Sequence, residues 1–259
     1  MKELASEPMQ IQGLPDGFKE GPYAFKHNNK YYLTFPWVQD KTETLAYAMA
    51  DSPMGPFTFT GIIMDESPSG CWTNHHSITE YNGQWYLFYH HNDYSPNFDK
   101  NRSARIDSLF FNTDGTIKKV KPTLRGVGIT DARSKIQIDR YSTISPYGVT
   151  IDYLEPSNTF EGWQTLFNRA GTWVTYNKVD FGITPVKRLK ARVRSEKGGA
   201  ITLRTPGEKG MTIAELPIKP TGKWTEISTN VSNAPTSMQD LIITQTGENP
   251  VAVDWISFE

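Results

Sequence analysis

The 259-residue sequence predicts an all-β protein, in which a partial β-propeller of about two blades is followed by a β-sandwich of the jelly-roll type. Three observations predict this. Short apolar or alternating runs, separated by Gly, Pro, Asn and Asp, fill the chain, and long amphipathic helical stretches are missing. The first part contains an internal repeat, and the spacing of the strand candidates changes after residue 128. We therefore expect one domain over residues 1–128 and a second over residues 129–259.

The internal repeat relates residues 28–35 (NNKYYLTF) to residues 82–89 (NGQWYLFY). Each copy starts with an Asn-led tight turn of the kind that joins two strands of a hairpin. A four-stranded unit that repeats every 50 or so residues is typical of a propeller blade, and propellers close with roughly 4–8 blades. Residues 1–128 hold about two units, so either upstream blades are missing from the chain or another chain completes the ring. We take truncation as the simpler reading, and we expect the exposed blade faces to favour self-association.

The second part of the chain is read as a sandwich because it holds about seven short strand candidates with frequent turns. The clearest is residues 189–194, where Leu, Ala and Val alternate with Lys and Arg. That alternation is what a strand needs when one face is buried and the other is in water.

Composition narrows the function classes. The net charge is −1 and no basic stripe is visible, so we expect no nucleic-acid partner. No run approaches the 18 or so apolar residues of a membrane helix, so we expect no membrane. Cys71 is the single cysteine, which excludes an intrachain disulfide and a thiolate metal cluster. The many aromatic residues suit sheet cores, and exposed rings could also stack on sugars.

The repeat also points to candidate site residues. Carrying the alignment back along the chain places Glu20 against Asn74 and Gly21 against His75. Both segments should head the innermost strand of their blade and open on the same end of the central channel. The alternative for Glu20 is an exposed carboxylate at a strand edge without a catalytic role.

Three ordered motifs stand out in this part. They are Lys19-Glu20-Gly21-Pro22-Tyr23 before a Tyr-Tyr-Leu strand, Thr73-Asn74-His75-His76-Ser77 before Trp85-Tyr86-Leu87, and Asn101-Arg102-Ser103 leading to Leu109. Together these motifs resemble glycoside hydrolase family 43, a group of five-bladed propellers. The resemblance covers about 100 residues and implies the C-terminal blades of such a propeller. It is strongest to members that act on xylan and arabinoxylan side chains, and it implies an extracellular or periplasmic location.

The resemblance implies an inverting β-xylosidase or α-L-arabinofuranosidase in which Glu20 is the general acid. His75 matches the axial histidine that holds a water or a metal in relatives, and Arg102 would orient sugar hydroxyls or the acid. We expect His76 to face into its blade and Arg105 to lie on the surface. The family's catalytic base, an Asp of the first blades, has no counterpart in this chain, so we expect the chain alone to be inactive or nearly so. The alternative is a non-catalytic carbohydrate-binding protein.

The second part resembles carbohydrate-binding module family 6 through three segments. These are Ile136-Gln137-Ile138-Asp139, the run from Trp173 to Gly182, and Val253-Asp254-Trp255-Ile256.

The resemblance to this family implies a structural calcium ion held by Gln137, Asp139 and Asp254, although Asp254 could be a strand-end carboxylate satisfied by other bonds. Tyr176 and Trp224 fit the aromatic pair that sandwiches a sugar ring, with an ordinary core role as the alternative for each. Relatives often carry an Asn shortly before the final Asp-Trp, and Ala252 takes that place here.

Overall fold

The computed structural model describes residues 7–94, 99–100, 102–207 and 210–259. Its secondary structure is almost entirely β-strand, which confirms the predicted fold class. The chain divides into two compact units, the first unit Met1–Pro122 and the second unit Thr123–Glu259. Residues just before the predicted boundary pack with the second unit, because the Arg125 guanidinium donates to the carbonyls of Gly128 and Asn177, both at 3.0 Å.

The first unit begins with a four-stranded antiparallel sheet. Its strands, in both chain and spatial order, are β1 (Tyr23–His27), β2 (Lys30–Val38), β3 (Glu43–Ala50) and β4 (Thr58–Met64). Asn28 and Asn29 join β1 to β2 with positive φ angles of 45° and 61°. Asn tolerates this left-handed conformation better than most residues, which is why the Asn-Asn pair makes a two-residue hairpin turn.

A three-stranded antiparallel sheet repeats the pattern with β5 (His76–Tyr81), β6 (Gln84–His91) and β7 (Ser103–Leu109). The turn between β5 and β6 is Asn82-Gly83, with φ angles of 52° and 77°. Both hairpins predicted from the internal repeat are therefore present. The two sheets are the propeller-type part of the chain.

An aromatic cluster packs the two sheets of the first unit against one another. Phe25 stacks on Tyr32 at 4.6 Å between ring centroids and contacts Trp85 of the second sheet at 5.2 Å. The opposite face of the four-stranded sheet is also buried, because Phe18 of the preceding segment packs edge-on against Phe35 at 5.2 Å. On the second sheet, the face that carries Phe88 and Ala104 remains exposed.

The second unit is a sandwich of two six-stranded sheets and one short 3₁₀ helix, Thr159–Glu161. The strands are β8 Thr130–Asp131, β9 Ile136–Gln137, β10 Thr143–Ile144, β11 Val149–Tyr153, β12 Trp163–Phe167, β13 Trp173–Asp180, β14 Arg188–Arg194, β15 Gly199–Arg204, β16 Thr212–Ile218, β17 Thr225–Asn230, β18 Met238–Gln245 and β19 Val251–Phe258. One sheet has the order β10-β13-β18-β15-β16 with β8 beside β13, and the other has the order β11-β12-β19-β14-β17 with β9 beside β19.

One hydrophobic core lies between these sheets. Leu189, Ala191 and Val193 of β14 are fully buried in it, whereas the Lys and Arg residues between them are not. The alternation seen in the sequence therefore marks the inner and outer faces of this strand. Within the described residues, no helix has the length and apolar character needed to cross a membrane.

Candidate functional site

Glu20 lies in the loop that precedes β1, and 63% of its side chain is exposed. The next residue, Gly21, has a φ angle of 65°, a conformation that L-residues with a side chain rarely adopt. A Cβ atom at Gly21 would lie 3.0 Å from the Pro36 ring and 3.3 Å from His75 Cε1. Glycine therefore allows the loop to approach both rings while Glu20 projects into solvent.

His75 lies immediately before β5, in the segment equivalent to the Glu20 loop. Its Nε2 atom is 3.7 Å from Glu20 Oε1. The structure thus brings together the two segments that the repeat alignment paired. The exposed carboxyl group of Glu20, with an imidazole beside it, can transfer a proton to a ligand.

Glu43, at the start of β3, is a third member of this site and was not singled out from the sequence. Its carboxylate is buried and accepts a hydrogen bond from the Asn74 backbone N–H at 2.7 Å. Ligand atoms of Glu20, Glu43 and His75 lie within 4.8 Å of one another. The only signal in the sequence is a carboxylate at the head of an apolar strand, which alone does not distinguish a site residue from a solvent-exposed strand end.

Glu43 is poorly placed to act as the base of an inverting glycosidase. Such enzymes separate their two carboxyl groups by about 6.5–9.5 Å to leave room for a water molecule. The 4.8 Å limit is shorter than this, and the Glu43 carboxylate is buried and bonded to the backbone.

His90, near the end of β6, supports His75 from the second sheet. Its Nε2 accepts a hydrogen bond from the His75 backbone N–H at 3.0 Å. Burial, together with the charge of Arg102, lowers the pKa of His90 to about 4, so the ring is neutral near pH 7. Arg102 is exposed just before β7, and Asn101 of its motif lies outside the described residues.

His76 faces away from Glu20 and into the first unit. Its Nε2 lies 2.6 Å from Thr34 Oγ1, and because that hydroxyl donates to the Tyr23 carbonyl, the ring nitrogen is the donor. Burial, and the nearby His75, lower the pKa of His76 to about 4. His76 thus faces inward, as expected, but it packs between the two sheets of the first unit.

The prediction that Arg105 is a surface residue is wrong. Its side chain is buried, donates to Asp93 at 2.6 Å and lies over the Tyr94 ring. The reason is the register of β7, which places Arg105 opposite Tyr89 on the inner face of the sheet. A buried guanidinium needs a carboxylate partner, and Asp93 supplies it.

In the second unit, Tyr176 and Trp224 belong to different sheets of the sandwich. Tyr176 is buried in the core from β13, and the Arg125 guanidinium covers its ring at 4.6 Å. Trp224 lies before β17 of the other sheet, and the guanidinium groups of Arg192 and Arg194 are 5.3 and 5.1 Å from its ring centroid.

Two of the three residues considered for calcium lie at the pairing of β9 with β19. Gln137 is paired with Trp255, the residue after Asp254, and Asp139 and Asp254 are both buried. Arg192 donates to Asp254 Oδ2 at 2.6 Å, so one carboxylate oxygen already has a cationic partner. Burial raises the pKa of Asp254, while the hydrogen bond from Arg192 opposes that rise.

Two clefts of the second unit lie where strands of one sheet pass to the other. A cleft of 390 Å³ is lined by Ala252, Leu166, Arg194 and the 195–197 turn, and none of its lining residues is aromatic. A cleft of 360 Å³ is lined by Tyr147, Arg169 and Trp173, among others. Tyr147 is 66% exposed, and Arg169 lies over its ring at 4.1 Å. No sequence pattern marks Tyr147 as a site residue, because an exposed Tyr in a Pro-Tyr-Gly turn has no periodic signal.

Comparison with known families agrees with both resemblances. Residues 4–117 match the family described as glycosyl hydrolases family 43, and residues 145–259 match the carbohydrate binding module of family 6. The fold and the site define a propeller-type unit followed by a β-sandwich module. The first unit thus matches a segment of a family 43 glycosyl hydrolase, and the second matches a family 6 carbohydrate-binding module.

Several curated proteins are similar to this chain. An arabinoxylan arabinofuranohydrolase of Paenibacillus polymyxa is 28% identical, over 88% of this chain and 40% of its own length. A beta-xylosidase of Xylanibacter ruminicola is 43% identical, over 41% of this chain and 32% of its own length. The chain therefore spans less than half of these relatives.

Among solved structures, a family 43 arabinoxylan arabinofuranohydrolase from Bacillus subtilis, in complex with cellotetraose, shares the fold. The TM-score is 0.57 at 24% identity, and the match covers 93% of this chain and 54% of the other.

Proposed function

We propose that this chain is the general-acid part of an inverting glycoside hydrolase, joined to a module that binds its polysaccharide. The substrate class is xylan or arabinoxylan, cleaved in the manner of a β-xylosidase or an α-L-arabinofuranosidase. The names of the family 43 relatives support this class. The observation that carries the proposal is the 3.7 Å approach of Glu20 to His75 at the heads of two equivalent strands.

In this mechanism Glu20 donates its proton to the glycosidic oxygen as the bond to the sugar breaks. Its exposure lets it reach a ligand, and His75 limits where the carboxyl group can lie. An inverting reaction also needs a base that activates water on the opposite face of the sugar. The relatives extend beyond the part that this chain matches, and we infer that the base belongs to a blade outside that part.

Azide can test the acid without the base, because it attacks the sugar carbon without losing a proton. With a methyl xyloside or arabinofuranoside, whose alkoxide leaving group must be protonated, we expect turnover in water by the purified chain near background. With azide added, we expect the glycosyl azide of inverted configuration, formed about 10²-fold more slowly by Glu20→Gln. Glu80→Gln, an exposed carboxylate of β5, is the control.

Two outcomes would contradict the proposal. Turnover in water that disappears in Glu20→Gln would mean that the chain already has its base. Absence of any azide product would remove the acid role and leave the second candidate function, a carbohydrate-binding protein without catalysis.

Whatever the azide experiment shows, the cleft beside Tyr147 supports carbohydrate binding by the second unit. An exposed ring next to Trp173 and a guanidinium offers stacking and hydrogen bonds to a sugar. We expect Tyr147→Ala to weaken binding of xylo- or arabinoxylo-oligosaccharides by at least about ten-fold in titration calorimetry, as loss of a stacked ring implies. Phe160→Ala, at a ring that is 98% exposed outside the cleft, should bind normally. Equal affinity of both variants would exclude this cleft.

Calcium in the second unit is also part of the proposal, with Gln137, Asp139 and Asp254 as the oxygen ligands. A calcium-dependent rise in the thermal midpoint that Asp139→Asn removes would support it, and an unchanged midpoint in chelator would exclude it. Self-association through the exposed face of Phe88 stays a prediction, which sedimentation of the purified chain can check.

A further inference from the structure

Two consecutive backbone amides next to Glu20 are held by acceptors from different sheets. The Asn74 N–H donates to Glu43 Oε2 at 2.7 Å, and the His75 N–H donates to His90 Nε2 at 3.0 Å. Glu43 heads β3 of the first sheet, and His90 lies near the end of β6 in the second. The peptide that carries the His75 ring is therefore fixed from two sides.

Glu43 is hydrogen-bonded to the segment before His75 both as an acceptor and as a donor. While its carboxylate accepts from Asn74, its own N–H donates to the Trp72 carbonyl at 3.2 Å. A buried carboxylate is costly unless hydrogen bonds satisfy it, and a bond to an ionised acceptor is stronger than a neutral one. This gives a physical reason for burying a charge at the head of an apolar strand.

The His90 side depends on which ring nitrogen carries the proton. Nε2 can accept from the His75 N–H only when it is unprotonated, so the neutral ring has its proton on Nδ1. The charged and titratable neighbours of His90 are Arg102, His75 and His91, all of which disfavour its protonated form. The acceptor therefore persists at any pH near neutral.

The ring held by these two bonds is the one that faces the acid. His75 Nε2 lies 3.7 Å from Glu20 Oε1, and its Cε1 lies close to Gly21. A rotation of the 74–75 peptide would carry the imidazole away from Glu20. Catalytic geometry is sensitive to displacements of this kind.

We propose that Glu43 and His90 are positioning residues of the site, which lock the Asn74-His75 backbone and so hold the His75 imidazole against Glu20. The relevance of this positioning to catalysis rests on the proposed function of Glu20. The positioning itself can be measured without an assay of enzymatic activity.

The test uses the full chain, labelled with ¹⁵N, in solution. In the unmodified protein, a scalar coupling across the hydrogen bond should connect the His75 amide nitrogen to His90 Nε2. Glu43→Ala should speed hydrogen exchange of the Asn74 amide by about ten-fold and weaken the contact between the His75 ring and Gly21. Glu43→Gln retains an acceptor oxygen, so it should restore both readouts.

Glu66→Ala is the matched control. Glu66 Oε1 accepts from the consecutive amides of Lys41 and Thr42 at 2.8 and 3.0 Å, and not from the Asn74 or His75 amide. Its loss should speed exchange at those two amides and leave the His75 contact with Gly21 unchanged. If Glu43→Ala does not fold, His90→Ala and the coupling in the unmodified chain decide.

The proposal is overturned if the coupling is absent, or if the His75 ring keeps its contact with Gly21 in both alanine variants. Loss of azide-dependent turnover in Glu43→Ala, with recovery in Glu43→Gln, would extend the positioning role to catalysis. Failure of the Glu20→Gln experiment with these magnetic resonance results intact would reject the enzyme function and keep the positioning role.

Discussion

At the scale of single residues, the geometry around Glu20 depends on a close approach that only glycine permits. Gly21 combines a left-handed backbone with contacts to the Pro36 and His75 rings. Gly70 offers a comparison, because its φ angle of 72° is similar but a Cβ there would meet nothing within 4 Å. Comparing alanine substitutions at Gly70 and Gly21 therefore separates the free-energy cost of a left-handed backbone from the cost of a steric clash at Cβ.

We predict that Gly70→Ala lowers the free energy of unfolding by about 1–2 kcal/mol, the cost of a left-handed L-residue. Gly21→Ala should lose more than this and also displace the Glu20 loop from His75. Urea unfolding of both variants, with a crystal structure of Gly21→Ala, measures the two effects. Equal losses of unfolding free energy in the two variants, with the Glu20 loop unmoved, would show that a Cβ atom at residue 21 fits beside His75 without displacing the loop.

At the scale of elements, tyrosine hydroxyls of the first sheet hold the segment that follows β7. Tyr47 Oη accepts from the Ile117 N–H at 3.0 Å, and Tyr32 Oη donates to the Gly115 carbonyl at 2.6 Å. Burial raises the pKa of Tyr32 to about 12, with the nearby Tyr47 and Asp114 adding to the rise. These long-range bonds attach the end of the second sheet to the first.

We predict that Tyr47→Phe destabilises the protein by about 1–3 kcal/mol, because it leaves the buried Ile117 N–H without an acceptor. Tyr81→Phe, at a ring that is 68% exposed, should change the stability little. Chemical denaturation of both variants is the measurement. A loss for Tyr47→Phe no larger than for Tyr81→Phe would mean that water replaces the hydroxyl.

At the scale of the whole molecule, the first unit buries three histidines in neutral form. Burial is the main cause that lowers the pKa of His76, His90 and His91 to about 4 each. In the unfolded chain, a histidine titrates near 6.5. Between these values the unfolded chain binds more protons than the folded one, so acid favours unfolding.

We predict that the first unit loses stability as the pH falls from about 6.5 to 4, by about 1.4 kcal/mol per pH unit for each histidine. Above pH 6.5 this contribution is fully present. Residue-resolved hydrogen exchange at several pH values, corrected for the intrinsic rate, would measure it. His76→Gln should flatten the slope, and a profile without slope would contradict the burial of neutral rings.

Much of this protein could be predicted from local patterns. The alternation in β14, the Asn-led turns and the repeated hairpins specify strands and faces, because side-chain direction in a strand depends only on neighbouring residues. The motifs around Glu20 and His75 also carry the family resemblance. The prediction for Arg105 failed for the opposite reason, because its burial depends on a partner, Asp93, in the turn that follows the neighbouring strand β6.

By itself, the sequence determined the all-β class, the two-part organisation and the Glu20 and His75 pair, since these follow from periodicity, repetition and motif. Only the tertiary structure decided that Glu43 and His90 flank that pair, that Arg192 bonds Asp254, and that Tyr176 is buried beneath Arg125. Those contacts join residues far apart in the chain. Their distances are set by how sheets pack, which no local pattern encodes.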